Sequence, residues 1–252
     1  MYTKQDLMNH LSEMGVDPKG TLLVHSSMKS IGQVEGGADT VLDALMEYMK
    51  DGLLIFPTHT WDRVSLEKPV YDADITASCV GLLTNMFRKR EGVVRSLHPT
   101  HSVAAYGRDA EAYTAGEENT HSPCPREGCW GRLYDRKAQI LMLGCGLERY
   151  TFLHSVAEWV DVPGRLTESV HELYSVAPDG TKYNVWQHRH AGVNSDWFVK
   201  MEEEYAQRGA LSYGHFGDAK CLLVDAVKSA DIALEWLEKD IDLFGNDAPL
   251  PR

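Results

Sequence analysis

Thr21-Leu22-Leu23-Val24 runs into the loop His25-Ser26-Ser27-Met28-Lys29-Ser30-Ile31-Gly32, and Leu53-Leu54-Ile55-Phe56 follows about a helix length later. Between them, Gly36-Gly37 precede apolar residues at Val41, Leu42, Leu45, Met46 and Met49, which share one face of a helix. Gly52 ends that helix, and Pro57 stops the second apolar run. Leu22-Leu23-Val24 and Leu53-Leu54-Ile55-Phe56 are apolar at every position, as strands covered on both faces are. Strand, loop, helix and strand in this order make a crossover unit of a parallel sheet.

Working outward, Thr3 caps a first helix, with Asp6 placed for a capping box and Leu7, Leu11 and Met14 on one face. Residues 58–76 are polar and aromatic without a period, which predicts an irregular excursion forming a wall or lid. A helix is expected over 78–90. Short strands are expected at Val93–Ser96, Ser102–Tyr106 and Ile140–Leu143, and a helix at Thr151–Glu158. Leu173–Ala177 and Thr181–Val185 flank Pro178-Asp179-Gly180, a hairpin pattern. A helix over 196–208, a strand at Lys220–Val224 and a last helix from Ala226 to about Phe244 complete the chain. The expectation is an α/β protein: a three-layer α/β/α sandwich with a mixed central sheet and a late antiparallel portion.

The chain has 252 residues and 43% hydrophobic content, enough for one large core, so residues 1–252 are read as a single domain. Its net charge of −12 argues against a nucleic-acid partner, which needs a basic surface. The same charge permits a cleft that attracts a polycation, although many enzymes are acidic for solubility alone. The five cysteines include no Cys-x-x-Cys pair, so neither a zinc knuckle nor a thioredoxin motif is present. No basic start followed by an apolar run opens the chain, and no stretch is long enough to cross a bilayer. The expected location is the cytoplasm, with no membrane partner, as a monomer or homodimer.

Three stretches carry chemistry. In Thr151-Phe152-Leu153-His154-Ser155-Val156-Ala157-Glu158 the helical spacing puts His154 and Glu158 on one face. An imidazole beside a carboxylate suits proton removal near neutral pH. In isolation, a chance pair on a capped surface helix is the commoner explanation. The His25–Gly32 loop offers hydroxyls and free N–H groups that can hold phosphate, yet it is neither a Walker loop nor a Gly-x-Gly-x-x-Gly fingerprint. Arg95-Ser96-Leu97-His98-Pro99-Thr100-His101-Ser102 could meet phosphate through Arg95. Pro99 prevents a regular helix from holding both His98 and His101, and no third ligand has matching spacing. Packing or hydrogen bonding is therefore favoured over a metal site, as it is for His188 and His190. Cys145 beside a glycine turn reads as a buried thiol rather than a nucleophile, and no Gly-x-Ser-x-Gly elbow occurs.

Taken together, the sequence resembles the aminoglycoside 3-N-acetyltransferase family from Leu22 to about Ala226. The resemblance rests on His25–Gly32, Gly36-Gly37-Ala38, Phe56-Pro57-Thr58, Arg95–Ser102 and Thr151–Glu158. It implies a fold distinct from the GNAT acetyltransferases, acetyl-CoA as donor and no metal. The implied acceptor is an amine on the deoxystreptamine ring of an aminoglycoside, attacking the thioester directly. It further implies Ser26, Ser27, Ser30, Arg95, Ser96 and His98 as CoA contacts. His154 is the implied general base, with Thr151 and Glu158 beside it. Glu158 would be the partner of His154 or an amine ligand, and Thr58 and Asp62 would stand at the acceptor. An acidic acceptor pocket would draw on Asp62, Glu67, Asp72 and Asp74. The alternatives are an acyltransferase for another small amine, a metal-dependent hydrolase built on His98, His101, His154 and Glu158, and an idle CoA- or aminoglycoside-binding protein.

Overall fold

The computed structural model describes residues 1–192 and 194–250. Helix α1 (Lys4–Glu13) opens with the expected capping box: Asp6 N–H donates to Thr3 Oγ1 at 3.2 Å, and Thr3 N–H to Asp6 Oδ2 at 2.9 Å. Such a cap contributes about 1 kcal/mol. Strand β1 (Thr21–Ser26), helix α2 (Gly37–Tyr48) and strand β2 (Leu53–Pro57) form the predicted crossover, with β1 and β2 parallel in the register Thr21–Leu53 to Leu23–Ile55.

Next come β3 (Val70–Asp72), α3 (Leu82–Phe87), β4 (Val94–Arg95), β5 (Val103–Gly107), α4 (Ala110–Thr114), α5 (Cys129–Asp135), β6 (Gln139–Leu143) and α6 (Phe152–Trp159). The hairpin β7 (His171–Val176) and β8 (Lys182–Gln187) follows, turning at Asp179-Gly180 as expected. A 3-10 stretch at Ser195–Met201 leads into α7 (Glu202–Gln207), then β9 (Leu211–Phe216), β10 (Ala219–Asp225) and α8 (Ala226–Lys239).

The main sheet has seven strands in the order β4-β5-β2-β1-β6-β10-β9. Its centre, β2-β1-β6, is parallel; β5, β4, β10 and β9 are added antiparallel. A second sheet, β3-β7-β8, joins the early excursion to the late hairpin. Alternation along the strands builds two cores. Leu22, Val24, Leu54, Phe56, Leu141 and Leu143 face α1, α2 and α3; Leu23, Ile55, Ile140 and Met142 face α5, α6 and α8. The three-layer, mixed-sheet expectation holds.

Several details differ from the sequence expectation: the excursion expected to be irregular contains β3, and α4 and α5 were not foreseen. The helix expected over 78–90 is only α3, because Gly81 enters it at φ 120°. The helix expected over 196–208 begins as a 3-10 stretch. The last helix ends at Lys239 rather than Phe244. Strand β9 was not foreseen, since Ser212, Tyr213 and His215 are exposed on an edge and break the apolar pattern. Among the described residues no helix is long and apolar enough to cross a membrane.

Candidate active site

Strands β1 and β6 are neighbours whose following helices, α2 and α6, lie on opposite faces of the sheet. Loops that part in this way open a crevice at the carboxyl ends of the strands, the usual ligand position in an open α/β sheet. A cavity of about 790 Å³ lies there. Ser26 and Ser27 line it from β1, His59 and Trp61 from the segment after β2, and Cys145, Glu148 and Arg149 from the turn after β6. Thr151 and His154 enter from α6, and Arg189 and His190 from beyond the hairpin. Ser27 N–H donates to Leu143 O at 2.9 Å, fastening the Ser-rich loop to β6. Gly144, at φ 70°, lets that loop come close: a Cβ there would lie 2.5 Å from Ser30 Cβ.

The floor of the cavity is a row of rings. His59 stacks on Trp130 at 5.3 Å between centroids, and His101 follows at 4.8 Å, His190 at 5.0 Å and His154 at 4.7 Å. Burial pushes His25 and His59 down to about 3 and His98 to about 4, and holds His101 and His190 well below the ordinary imidazole range. These rings are neutral at pH 7.

Glu158 sits behind the row. Its carboxylate accepts from Ser122 Oγ at 2.5 Å, Cys124 N–H at 3.0 Å and His190 Nε2 at 2.5 Å. Burial pushes its carboxyl up to about 7, against these hydrogen bonds. The partnership expected between Glu158 and His154 is therefore corrected: the imidazole bonded to this carboxylate is His190. The Nδ1 of His154 instead meets Nη2 of Arg165, which is 2% exposed.

The other sequence-derived residues divide between wall and frame. Ser26, Ser27 and Thr151 line the cavity, and Thr151 Oγ1 lies 3.3 Å from His59 Nε2. Ser30 bonds Ser27 Oγ and Gly144 O, and it lines a neighbouring groove. Arg95, expected at a CoA phosphate, is buried and spent on the frame. It donates to Thr58 Oγ1 (3.1 Å), Thr58 O (2.8 Å), Ala73 O (3.0 Å) and Thr76 O (2.7 Å), and it covers the Tyr71 ring. Ser96 accepts from Val103 N–H and is buried as well. His98 accepts at Nδ1 from the N–H of Thr100 and of His101, and donates from Nε2 to Ser122 O, leaving no lone pair for a ligand. These three side chains hold the walls and do not reach the cavity. Thr58 is fully buried against Ser102 and Arg95 and does not line the cavity. Asp62 is exposed next to Trp61 at the mouth, 3.3 Å from Arg63.

The acidic acceptor wall is not formed as expected. Asp72 accepts from Asp74 N–H and Ile75 N–H, and Glu67 accepts from Ser65. Among the described residues lining the cavity, Glu148 is the one carboxylate, beside Arg149 and Arg189. Sequence reasoning missed His59, Arg165, His190 and Ser122. The run His188-Arg189-His190 carried a signal but resembled strand alternation; Arg165 lies in a turn with no pattern at all.

Cys124, Glu158 and His190 place thiol, carboxylate and imidazole donors within 4.8 Å of one another. In this structure the carboxylate and the imidazole are hydrogen-bonded to each other at 2.5 Å. Cys145 lies on the wall with its thiol pushed up to about 12 by burial, which removes the thiolate a covalent mechanism needs.

The buried rings carry a stability consequence. Between pH 4 and 6.5 the unfolded chain binds protons at His25, His59 and His98 that the folded chain refuses, so their contribution is lost as pH falls below 6.5. Each costs on the order of 1 kcal/mol at pH 5.5, and His101 acts in the same direction. Glu117, raised to about 7 by burial, opposes them: its stabilisation is full below the usual carboxylate value and lost as pH rises through 7. With the coupled Glu158–His190 pair set aside, stability should fall by roughly 3 kcal/mol between pH 7.5 and 5.5. Urea midpoints at the two pH values measure this; an equal or higher midpoint at pH 5.5 contradicts it.

A switch-point crevice lined by imidazoles, with a buried carboxylate behind them, is a place where protons can be moved near neutral pH. The sequence matches the profile of the aminoglycoside 3-N-acetyltransferase family over residues 23–238, and the chain belongs to that family of acyltransferases. It is 25% identical to the SPbeta prophage-derived aminoglycoside N(3')-acetyltransferase-like protein YokD of Bacillus subtilis, over 93% of this chain and 92% of that one. It is 26% identical to aminoglycoside N(3)-acetyltransferase VII of Streptomyces paromomycinus, over 95% and 92%. Among solved structures, the fold matches aminoglycoside acetyltransferase AAC(3)-Xa with a TM-score of 0.84 at 23% identity, covering 95% of this chain and 94% of that one. It also matches AAC-IIIb, solved as a binary complex with CoASH, with a TM-score of 0.82 at 24% identity, covering 98% and 99%.

Proposed function

We propose that this chain, as a single domain, transfers the acetyl group of acetyl-CoA to the 3-amine of the deoxystreptamine ring of an aminoglycoside. The observation that carries this reading is the switch-point cavity, where His154 and His190 stand 4.7 Å apart beside a thiol too protonated to attack. An amine must shed a proton to complete its attack on a thioester, and a neutral imidazole takes it at pH 7. The amine attacks the acetyl carbonyl directly, with no acyl-enzyme. CoA lies along Ser26, Ser27 and the Gly144 turn, and Arg149 replaces Arg95 as the cation facing its phosphates. Thr151 Oγ1 lines the cavity as a donor to the thioester carbonyl. The family and the CoASH-bound neighbour support the donor.

CoA release, followed with a thiol reagent, should require both acetyl-CoA and a deoxystreptamine aminoglycoside. Release that no aminoglycoside stimulates overturns the acceptor assignment. One observation favours a second reading, an acyltransferase for another amine of low charge: a single lining carboxylate, Glu148, against two arginines. A panel of monoamines run beside the aminoglycosides separates the two.

A further inference from the structure

Outside the crevice, a second group of metal-type donors forms where α1 packs against β9, the last strand of the main sheet. His10 and Glu13 are three residues apart on α1, so they share one face of that helix. Leu7 and Leu11 turn into the core, while His10 and Glu13 meet His215 of β9 at the sheet edge. Gly214, just before His215, lets the helix come close: a Cβ there would lie 2.3 Å from Met14 Cγ. The rings of His10 and His215 stand 4.4 Å apart between centroids. One ligand atom from each of His10, Glu13 and His215 lies within 4.8 Å of the other two.

Two of these three side chains are uncommitted. Glu13 and His215 are exposed, and among the described residues neither side chain has a hydrogen-bond or ion-pair partner. His10 is half-buried and held in place. The Tyr2 ring meets it edge-on at 5.7 Å, and its Nδ1 accepts from Gly217 N–H at 3.2 Å. One oriented imidazole, a second imidazole and a carboxylate free of any lysine or arginine make a donor set of the kind that holds a cation.

We propose that His10, Glu13 and His215 bind one divalent transition-metal ion, which clips α1 to β9. Two imidazole nitrogens with a carboxylate oxygen suit zinc, nickel or copper, whereas magnesium and calcium take sets made of oxygen. Metal–donor bonds of about 2.1 Å in a tetrahedron put the donors about 3.4 Å apart. The present separations exceed this by little more than an ångström, which rotation of the two exposed side chains can close, with solvent in the fourth position. The ion needs a lone pair, and a neutral imidazole has one on a single nitrogen. On His10 that lone pair is held by Gly217 N–H, so the ion displaces this long hydrogen bond and loses about tenfold in affinity for it. The result is a reversible clip rather than a permanent structural ion. Helix and strand come from opposite ends of the chain, so an ion held by the folded form alone raises its stability. The inference is independent of the acyl-transfer reading, since none of the three residues lines the crevice.

The test is a calorimetric titration of the whole chain with Ni²⁺, which suits imidazole and is not among the ions that thiolates select. Wild type is compared with His215→Ala and Glu13→Gln, and with His121→Ala as a control at another exposed imidazole. The substituted side chains are exposed, so the fold does not depend on them. Wild type and His121→Ala should bind one Ni²⁺ with equal affinity, and His215→Ala and Glu13→Gln at least about tenfold more weakly. With Ni²⁺ at about a hundred times the wild-type Kd, the thermal midpoint of wild type should rise by about 5 °C and that of His215→Ala by less than about 2 °C. A wild type with no saturable Ni²⁺ binding up to about 1 mM overturns the proposal. So does a His215→Ala protein that binds as wild type does, or a wild-type midpoint unchanged at saturation.

Discussion

His154→Ala should lose about a thousandfold in turnover while acetyl-CoA binds within about twofold of wild type. The ring lies at the start of α6, set between Phe198 at 4.8 Å and His190 at 4.7 Å, with one nitrogen open to the cavity and the other met by Arg165. Alanine removes the ring and, with it, the one partner the buried Arg165 guanidinium has among the described residues, so a urea midpoint measured beside turnover separates lost chemistry from lost stability. The serines and the Gly144 turn assigned to CoA are on the other side of the cavity, in the loops after β1 and β6. Single-turnover CoA release, read beside calorimetric binding of acetyl-CoA, separates the two effects. Turnover within tenfold of wild type removes His154 from the chemistry.

Arg95→Met should act in the opposite way and cost roughly 4 kcal/mol of stability. Methionine fills part of the volume but offers none of the four N–H bonds that Arg95 makes. It leaves Ala73 O and Thr76 O without that donor, and these two carbonyls tie the 58–76 excursion to β4. The excursion carries β3, so its loosening should also free the β3–β7 edge. Urea unfolding followed by tryptophan fluorescence measures the loss. A stable variant with a raised KM for acetyl-CoA would instead return Arg95 to the phosphate contact expected from the sequence.

Legibility in the sequence followed the strength of local pattern. Continuous apolar runs at residues 22–24, 53–56 and 140–143 are covered on both faces, and each became part of a central parallel strand. The hairpin at Asp179-Gly180 and the cap at Thr3 were equally plain, because turn and cap chemistry is local. Edge strand β9 was not, because solvent exposure removes the pattern a strand would show.

In the site, the helical spacing correctly put His154 and Glu158 on α6, yet their shared face did not make them partners. The carboxylate is claimed by Ser122, Cys124 and His190, all distant in sequence, and no spacing rule reports such a meeting. Arg95, Ser96 and His98 failed in a related way. A polar motif reads the same in one dimension whether its side chains grip a ligand or the chain's own carbonyls. Only burial separates the two, and here all three are inside.

The most direct test of acetyl transfer in this cavity is an NMR determination of the product formed from acetyl-CoA and a deoxystreptamine aminoglycoside. One acetyl group on the 3-nitrogen, with equimolar CoA released and none of it formed by His154→Ala, is the predicted result. An acetyl group found on a hydroxyl or on a cysteine of the protein, or an unmodified aminoglycoside after complete incubation, would contradict it.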